Sequence, residues 1–151
     1  MIAILTRQRL APITLFFGIS FLLHLLWENL QAPLYRGYIS FSQHFWICLR
    51  GALGDLIFMF ALYLAIALIH RNLFWLNESS ILRPPLTWII LIVLGGVFAA
   101  AFEWWAVFVA HRWQYGSMPL LFGGIGLMPV LQMTVIPPIS LFLTFRFFRP
   151  V

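Results

Sequence analysis

Leu86–Val109 reads LTWIILIVLGGVFAAAFEWWAVFV, and it decides the fold. Its single charged residue is Glu103. A membrane helix needs roughly 20 consecutive apolar residues, and this stretch supplies them. It lacks the period-two alternation that marks a membrane strand. Three further runs, about 11–30, 45–69 and 120–145, have the same character. Polar segments separate them: Gln31–His44 with Pro33 and Gly37, His70–Pro85 with its Pro84-Pro85 break, and Ala110–Pro119 with Gly116 and Ser117. The expectation is an all-α membrane protein: one domain over residues 1–151, folded as an antiparallel four-helix transmembrane bundle.

Composition agrees. The 151 residues are 63% hydrophobic and 9% charged, against about 25% charged in an ordinary soluble domain. There is no lysine, and the four acids are Glu28, Asp55, Glu78 and Glu103. So few polar groups cannot cover a water-exposed surface, which excludes a soluble enzyme, a nucleic-acid-binding domain and a disordered tail. The net charge of +5 comes from arginines scattered singly, so no nucleic-acid partner is expected. A lone cysteine, Cys48, excludes an internal disulfide and reads as a small core hydrophobe rather than a nucleophile. The basic start at Arg7 and Arg9 followed by an apolar run invites a signal-peptide reading. That run is longer than such a segment needs, holds His24 and Glu28, and has no small-residue cleavage pattern behind it. A retained first helix is expected.

Four spans put both termini on one side. With the N-terminus inside, Arg7, Arg9, Arg71, Arg83, Arg146 and Arg149 are cytoplasmic, and Arg36, Arg50 and Arg112 lie opposite. The bias favours cytoplasmic termini, in a membrane of bacterial inner-membrane type. Aromatic belts fit this placement: Trp27, Tyr35, Tyr38, Trp46, Trp104, Trp105, Trp113 and Tyr115 toward one face, Phe74, Trp75 and Trp88 toward the other.

Ionisable groups at bilayer depth are costly and mark functional candidates. Because chain direction alternates, His24 and Glu28 near the end of the first span, Cys48, Arg50 and Asp55 early in the second, Glu103 late in the third, and Gln132 and Thr134 in the fourth all fall at one level. That level is the periplasmic half; the other half, as in Phe58–Leu68 and Ile89–Val97, is nearly pure hydrocarbon. His24, Glu28 and Gln31 share a helix face, as do Cys48, Gly51 and Asp55. Gly95, Gly96 and Ala99–Ala101 permit close helix approach and turn Glu103 toward the bundle. In the fourth span, Gly123-Gly124-Ile125-Gly126 opens the helix and Pro137-Pro138 breaks it. Pro129 frees a carbonyl that Gln132 answers.

Each feature has a plainer reading. His24 and Glu28 form either an acid–base couple or a structural hydrogen bond. Asp55 is expected to pair with Arg50, Arg36 or Arg112. Gln132 reads as interhelical glue or as a substrate contact, and Trp27 and Trp104 as interfacial anchors or contacts. His24, Glu28 and Glu103, with His111 nearby, offer ligands suited to zinc or iron. The sequence has no HExxH, no CxxC and no second ExxH, so neither a metal nor another cofactor is favoured. Haem lacks a second well-placed histidine, Gly123–Gly126 lacks a phosphate-loop lysine, and no serine elbow is present.

The motif His24-Leu25-Leu26-Trp27-Glu28 resembles the HxxxE of the emopamil-binding sterol isomerase (EXPERA) group of four-helix membrane proteins. Cys48-Leu49-Arg50-Gly51, the turn with His111, Arg112, Tyr115 and Gly116, and a proline-broken last helix add to the likeness, which spans most of the chain. In that group the pair and a second glutamate transfer protons on a carbocation-like sterol intermediate. The resemblance implies that role for His24 and Glu28. The segments from Trp27 to Tyr35, Gly54-Asp55 and Gly126–Gln132 also look like those of a family of small bacterial membrane proteins, a likeness that carries no function with it.

The leading expectation is a small membrane enzyme acting on an apolar or lipid-like substrate by isomerase-, cyclase- or hydrolase-type proton transfer. A carboxylic acid taken out of water keeps its proton more readily and can protonate an alkene or an ester or glycosidic oxygen. Glu28 or Glu103 would be the acid and His24 the base or orienting group. Trp27, Gln31, Asp55, Trp104, Arg112, Tyr115 and Gln132 are the candidate contacts. Membrane lipid is one expected partner, and a membrane-protein partner or a second copy another. Two other classes stay open: a subunit or assembly factor of a larger membrane complex, and an oligomeric pathway for protons or a small solute. A pathway needs polar groups through the whole thickness, which the apolar inner halves do not offer.

Overall fold

A computed structural model describes residues 2–78, 80 and 85–148, with side chains from residue 9 onward. Arg83 and Arg149, and the side chain of Arg7, lie outside the described residues. Four helices are long and apolar enough to cross a membrane: α1, Ile2–Gln31; α2, Phe41–Ile69; α3, Pro85–Trp104; and α4, Leu127–Phe147. The protein is thus an all-α integral membrane protein built on four helices. Their outer faces are hydrocarbon, as at Leu22, Ile57 and Leu68, which are all exposed. Lipid is the solvent that such faces require.

α4 packs against both α1 and α3, and α1 packs against α2. The seam between α2 and α3 is thinner, and the cavity described below borrows wall from both. The apolar core gathers Phe16, Met59, Leu62, Tyr63, Ile66, Leu91, Met133 and Leu141. α3 and α4 approach closely, and a Cβ on Gly95 would stand 2.1 Å from the Met133 carbonyl oxygen. Pro137 has no N–H, so that carbonyl, four residues earlier, lacks its helical donor.

Three features of the fourth span differ from expectation. The helix starts at Leu127, not near residue 120. Gly123 and Gly124 have φ of +82° and +78°, a region open to glycine but not to a helix. The chain there closes a turn in which Leu121 N–H donates to Ile125 O at 2.8 Å. Pro129 falls in the first helical turn, where N–H groups have no helical acceptor anyway, so it frees no carbonyl for Gln132. Pro137 and Pro138 lie inside an unbroken helix, as membrane helices allow when neighbours compensate.

The third span ends in a π-helical turn, Trp105–Val109. His111 then takes a left-handed φ of 49°, and Arg112 N–H closes on Ala106 O at 2.8 Å. This reversal brings the following loop back over the bundle end. There Tyr35 and Tyr115 pair as extended backbone, with Gly116 N–H on Leu34 O at 2.8 Å and Arg36 N–H on Gln114 O at 3.0 Å. At the other end, Trp75 is not a belt residue. It is fully buried, its indole N–H donates to Tyr63 O at 3.3 Å, and its ring packs on Tyr63 and Phe16.

Candidate functional site

The polar side chains on the four helices gather at the end of the bundle closed by the paired loops. His24 is fully buried on α1. Its Nδ1 lies 3.2 Å from Asp55 Oδ2 on α2 and 2.9 Å from Gln132 Nε2 on α4. Gln132 Nε2 also donates to Asp55 Oδ2 at 2.7 Å. Gln31, two helical turns beyond His24, donates through Nε2 to Gln132 Oε1 at 3.1 Å and to Glu28 Oε1 at 2.7 Å. The expected shared face of α1 is therefore a single hydrogen-bonded unit.

Its pairing differs from expectation in two ways. His24 bonds with Asp55, not Glu28. Asp55 finds an imidazole and an amide, not an arginine; among the described residues His24–Asp55 is the one carboxylate–base contact within ion-pair distance. The reason is that α1, α2 and α4 meet at this level, while Arg36 and Arg112 sit in loops and Arg50 is exposed on α2. Gln132 is the hub. Replacing it with leucine strands partners on two other helices. At about 0.6 kcal/mol for a typical interhelical bond in a membrane, Gln132→Leu should cost about 2 kcal/mol, read as a lowered unfolding temperature in detergent. The double variant with His24→Leu should cost less than the sum of the singles, because it removes both ends of one bond.

Glu28 leans onto α2. A Cβ on Gly51 would meet its Oε2 at 2.7 Å, so the glycine is the space in which the carboxyl lies. Cys48 Sγ, one turn before Gly51, contacts Glu28 O at 3.6 Å. Glu103 on α3 is only 4% exposed and accepts a hydrogen bond from the Tyr115 hydroxyl. That hydroxyl in turn accepts from Gly126 N–H at 2.8 Å, linking Glu103 to the start of α4. Burial, and then the neighbouring Glu103, push the Tyr115 phenol above its ordinary pKa, so it stays a donor at neutral pH. Tyr115→Phe deletes both bonds and should lower stability by about 1 kcal/mol, measured by the same melt.

Glu28, Asp55 and Glu103 all face one cavity of about 670 Å³, within the roughly 300–1,000 Å³ range of small-molecule sites. Ile47, Phe58, Ala99, Phe102 and Met133 supply apolar wall. Of the expected site residues, Gln31, Gln132 and Arg112 also line it. Tyr115 stands behind Glu103, and His24 behind Asp55 and Gln132, so neither forms wall. Trp27 is off the cavity, and Trp104 is 54% exposed on the lipid side of α3. His111 is exposed, with Nδ1 3.1 Å from Val107 O, and does not join the expected ligand set. Among the described residues no three of His, Cys, Asp and Glu are placed to hold one metal ion.

Sequence reasoning missed Tyr35, Arg36, His44 and Trp113, all on the cavity. They come from loops or a helix's first turn, where no periodicity orients a side chain. The Tyr35 phenol is raised by burial and by the nearby Glu103 and Glu28, so it too is a neutral hydroxyl at the site.

No protein-family model, curated protein or solved structure matches the chain.

Proposed function

We propose that this cavity is the active site of a small membrane enzyme acting on an apolar or lipid-like substrate by general acid–base proton transfer. The observation that carries this reading is the meeting of three carboxyls, from three helices, on the wall of one part-apolar cavity. Each is held by neutral amide or phenol donors or by an imidazole, and none by a guanidinium. A carboxylic acid so placed gives its proton to an alkene carbon or to an ester or glycosidic oxygen. The carboxylate left behind takes a proton back from the adjacent carbon in an isomerisation or cyclisation, or from water in a hydrolysis.

Glu28 and Glu103 are the catalytic pair in this reading. Asp55, Gln31 and Gln132 are contacts, and His24 is a positioning residue acting through Asp55. The HxxxE likeness to the sterol isomerase group is compatible with this for Glu28. The helices run antiparallel with both termini in the cytoplasm, which places the cavity in the periplasmic half of an inner membrane; the arginine distribution supports it. The thin seam between α2 and α3 is the lateral route from the bilayer. Lipid extracts from cells making the wild type or Glu103→Gln test the reading. A lipid species converted by the wild type alone is expected, and identical profiles overturn it.

A further inference from the structure

Arg36, Arg50 and Arg112 come from the loop after α1, from α2 and from the loop after α3, and all three line the cavity. They are also the three arginines that run against the positive-inside bias. Topology therefore gives no reason for them on this side, and a reason is to be sought in the cavity.

Their partners sharpen the point. Arg36 Nη1 donates to Gln114 Oε1 at 3.3 Å, and the Arg112 guanidinium lies over the Trp105 ring at 5.9 Å. Among the described residues none of the three is in an ion pair, although three carboxyls share the cavity with them. Those carboxyls are satisfied by Gln31, Gln132, His24 and Tyr115 instead. The cationic and anionic groups are thus not paired with one another: the three arginines are exposed, whereas Glu103 is buried on α3. A guanidinium offers five N–H donors in a planar fork that suits a phosphate, and among the described residues one hydrogen bond, from Arg36, uses them here.

We propose that the cavity binds a phosphate-headed amphiphile, its phosphate held by Arg36, Arg50 and Arg112 and its chain lying along Phe58, Phe102 and Met133 toward the carboxyls. The proposal names the substrate class of the site read above and rests on that reading for the fate of the chain. Binding of the head stands on the arginines alone.

The test uses the full chain in an uncharged detergent, with hexadecyl phosphate, hexadecanol and inorganic phosphate as probes, and tryptophan fluorescence as readout because Trp113 is on the cavity wall. Hexadecyl phosphate is expected to bind at least about tenfold tighter than hexadecanol, and Arg50→Gln and Arg112→Gln each to weaken it about tenfold, the scale of a charge-assisted hydrogen bond. Arg146→Gln, in the last turn of α4, is expected to change nothing. Equal binding of alcohol and phosphate, or equal weakening by Arg146→Gln, overturns the proposal. Inorganic phosphate binding as tightly as hexadecyl phosphate also overturns it, pointing to a free-anion site. Glu28→Gln is expected to keep hexadecyl phosphate affinity, which separates the two readings. Binding without conversion of any phosphate-headed lipid sinks the acid–base reading alone. Conversion of a neutral lipid with no arginine dependence sinks this one alone.

Discussion

Glu28→Gln is expected to lower turnover by at least about a hundredfold, the scale of a lost general acid or base, while the protein still folds. The exchange keeps shape and can keep the hydrogen bond from Gln31 Nε2, now 2.7 Å from Oε1, because an amide oxygen accepts as a carboxylate does. It removes only the transferable proton. Folding and chemistry separate a second way at Gly51. A methyl there would stand 2.7 Å from Glu28 Oε2, so Gly51→Ala must move the carboxyl while leaving its chemistry intact. A displaced carboxyl loses the geometry on which proton transfer depends, and a turnover drop of about tenfold or more is expected for Gly51→Ala. Steady-state conversion of the responsive lipid reads both variants. Wild-type turnover in Glu28→Gln would remove Glu28 from the mechanism.

The largest effect on stability is expected at Gly95. Alanine there places a Cβ 2.1 Å from the Met133 carbonyl oxygen, well inside contact distance, and both atoms belong to helix backbones that cannot step aside singly. α3 and α4 must separate along their closest line. Overpacking of this kind costs about 3 kcal/mol, against a gain of up to about 1 kcal/mol for alanine over glycine in a helix, so the clash wins. Gly18, where a Cβ meets nothing within 4 Å, is the control: Gly18→Ala should be neutral or stabilising. Unfolding temperatures of the two variants in one detergent decide the matter. Equal temperatures would mean that the α3–α4 contact is looser than described.

The four helices were legible because hydrocarbon runs of this length have no other stable outcome in a bilayer. The shared face of His24, Glu28 and Gln31 was legible for a local reason, since helical spacing alone fixes it. Partners across helices were not. Nothing in the spacing of Asp55 tells it from a residue destined for an arginine, and only the abutment of α1, α2 and α4 gives it His24. Trp75 carried a misleading signal, because an aromatic beside a span looks the same whether it anchors at the interface or folds back into the core. The late start of α4 was written in Gly123-Gly124, but hydropathy across residues 120–126 masks it. Arg36 and Arg50 were read for orientation and as partners for Asp55, because neither a sum over loops nor helical spacing says where each guanidinium lies.

The most direct measurement is an experimental map of the protein in a lipid bilayer containing a phosphate-headed amphiphile. The expected result shows Glu28, Asp55 and Glu103 on one cavity, with continuous density from Arg36, Arg50 and Arg112 to Phe58 and Phe102. A cavity closed by side chains, or Glu103 turned to lipid and away from Tyr115, would contradict it.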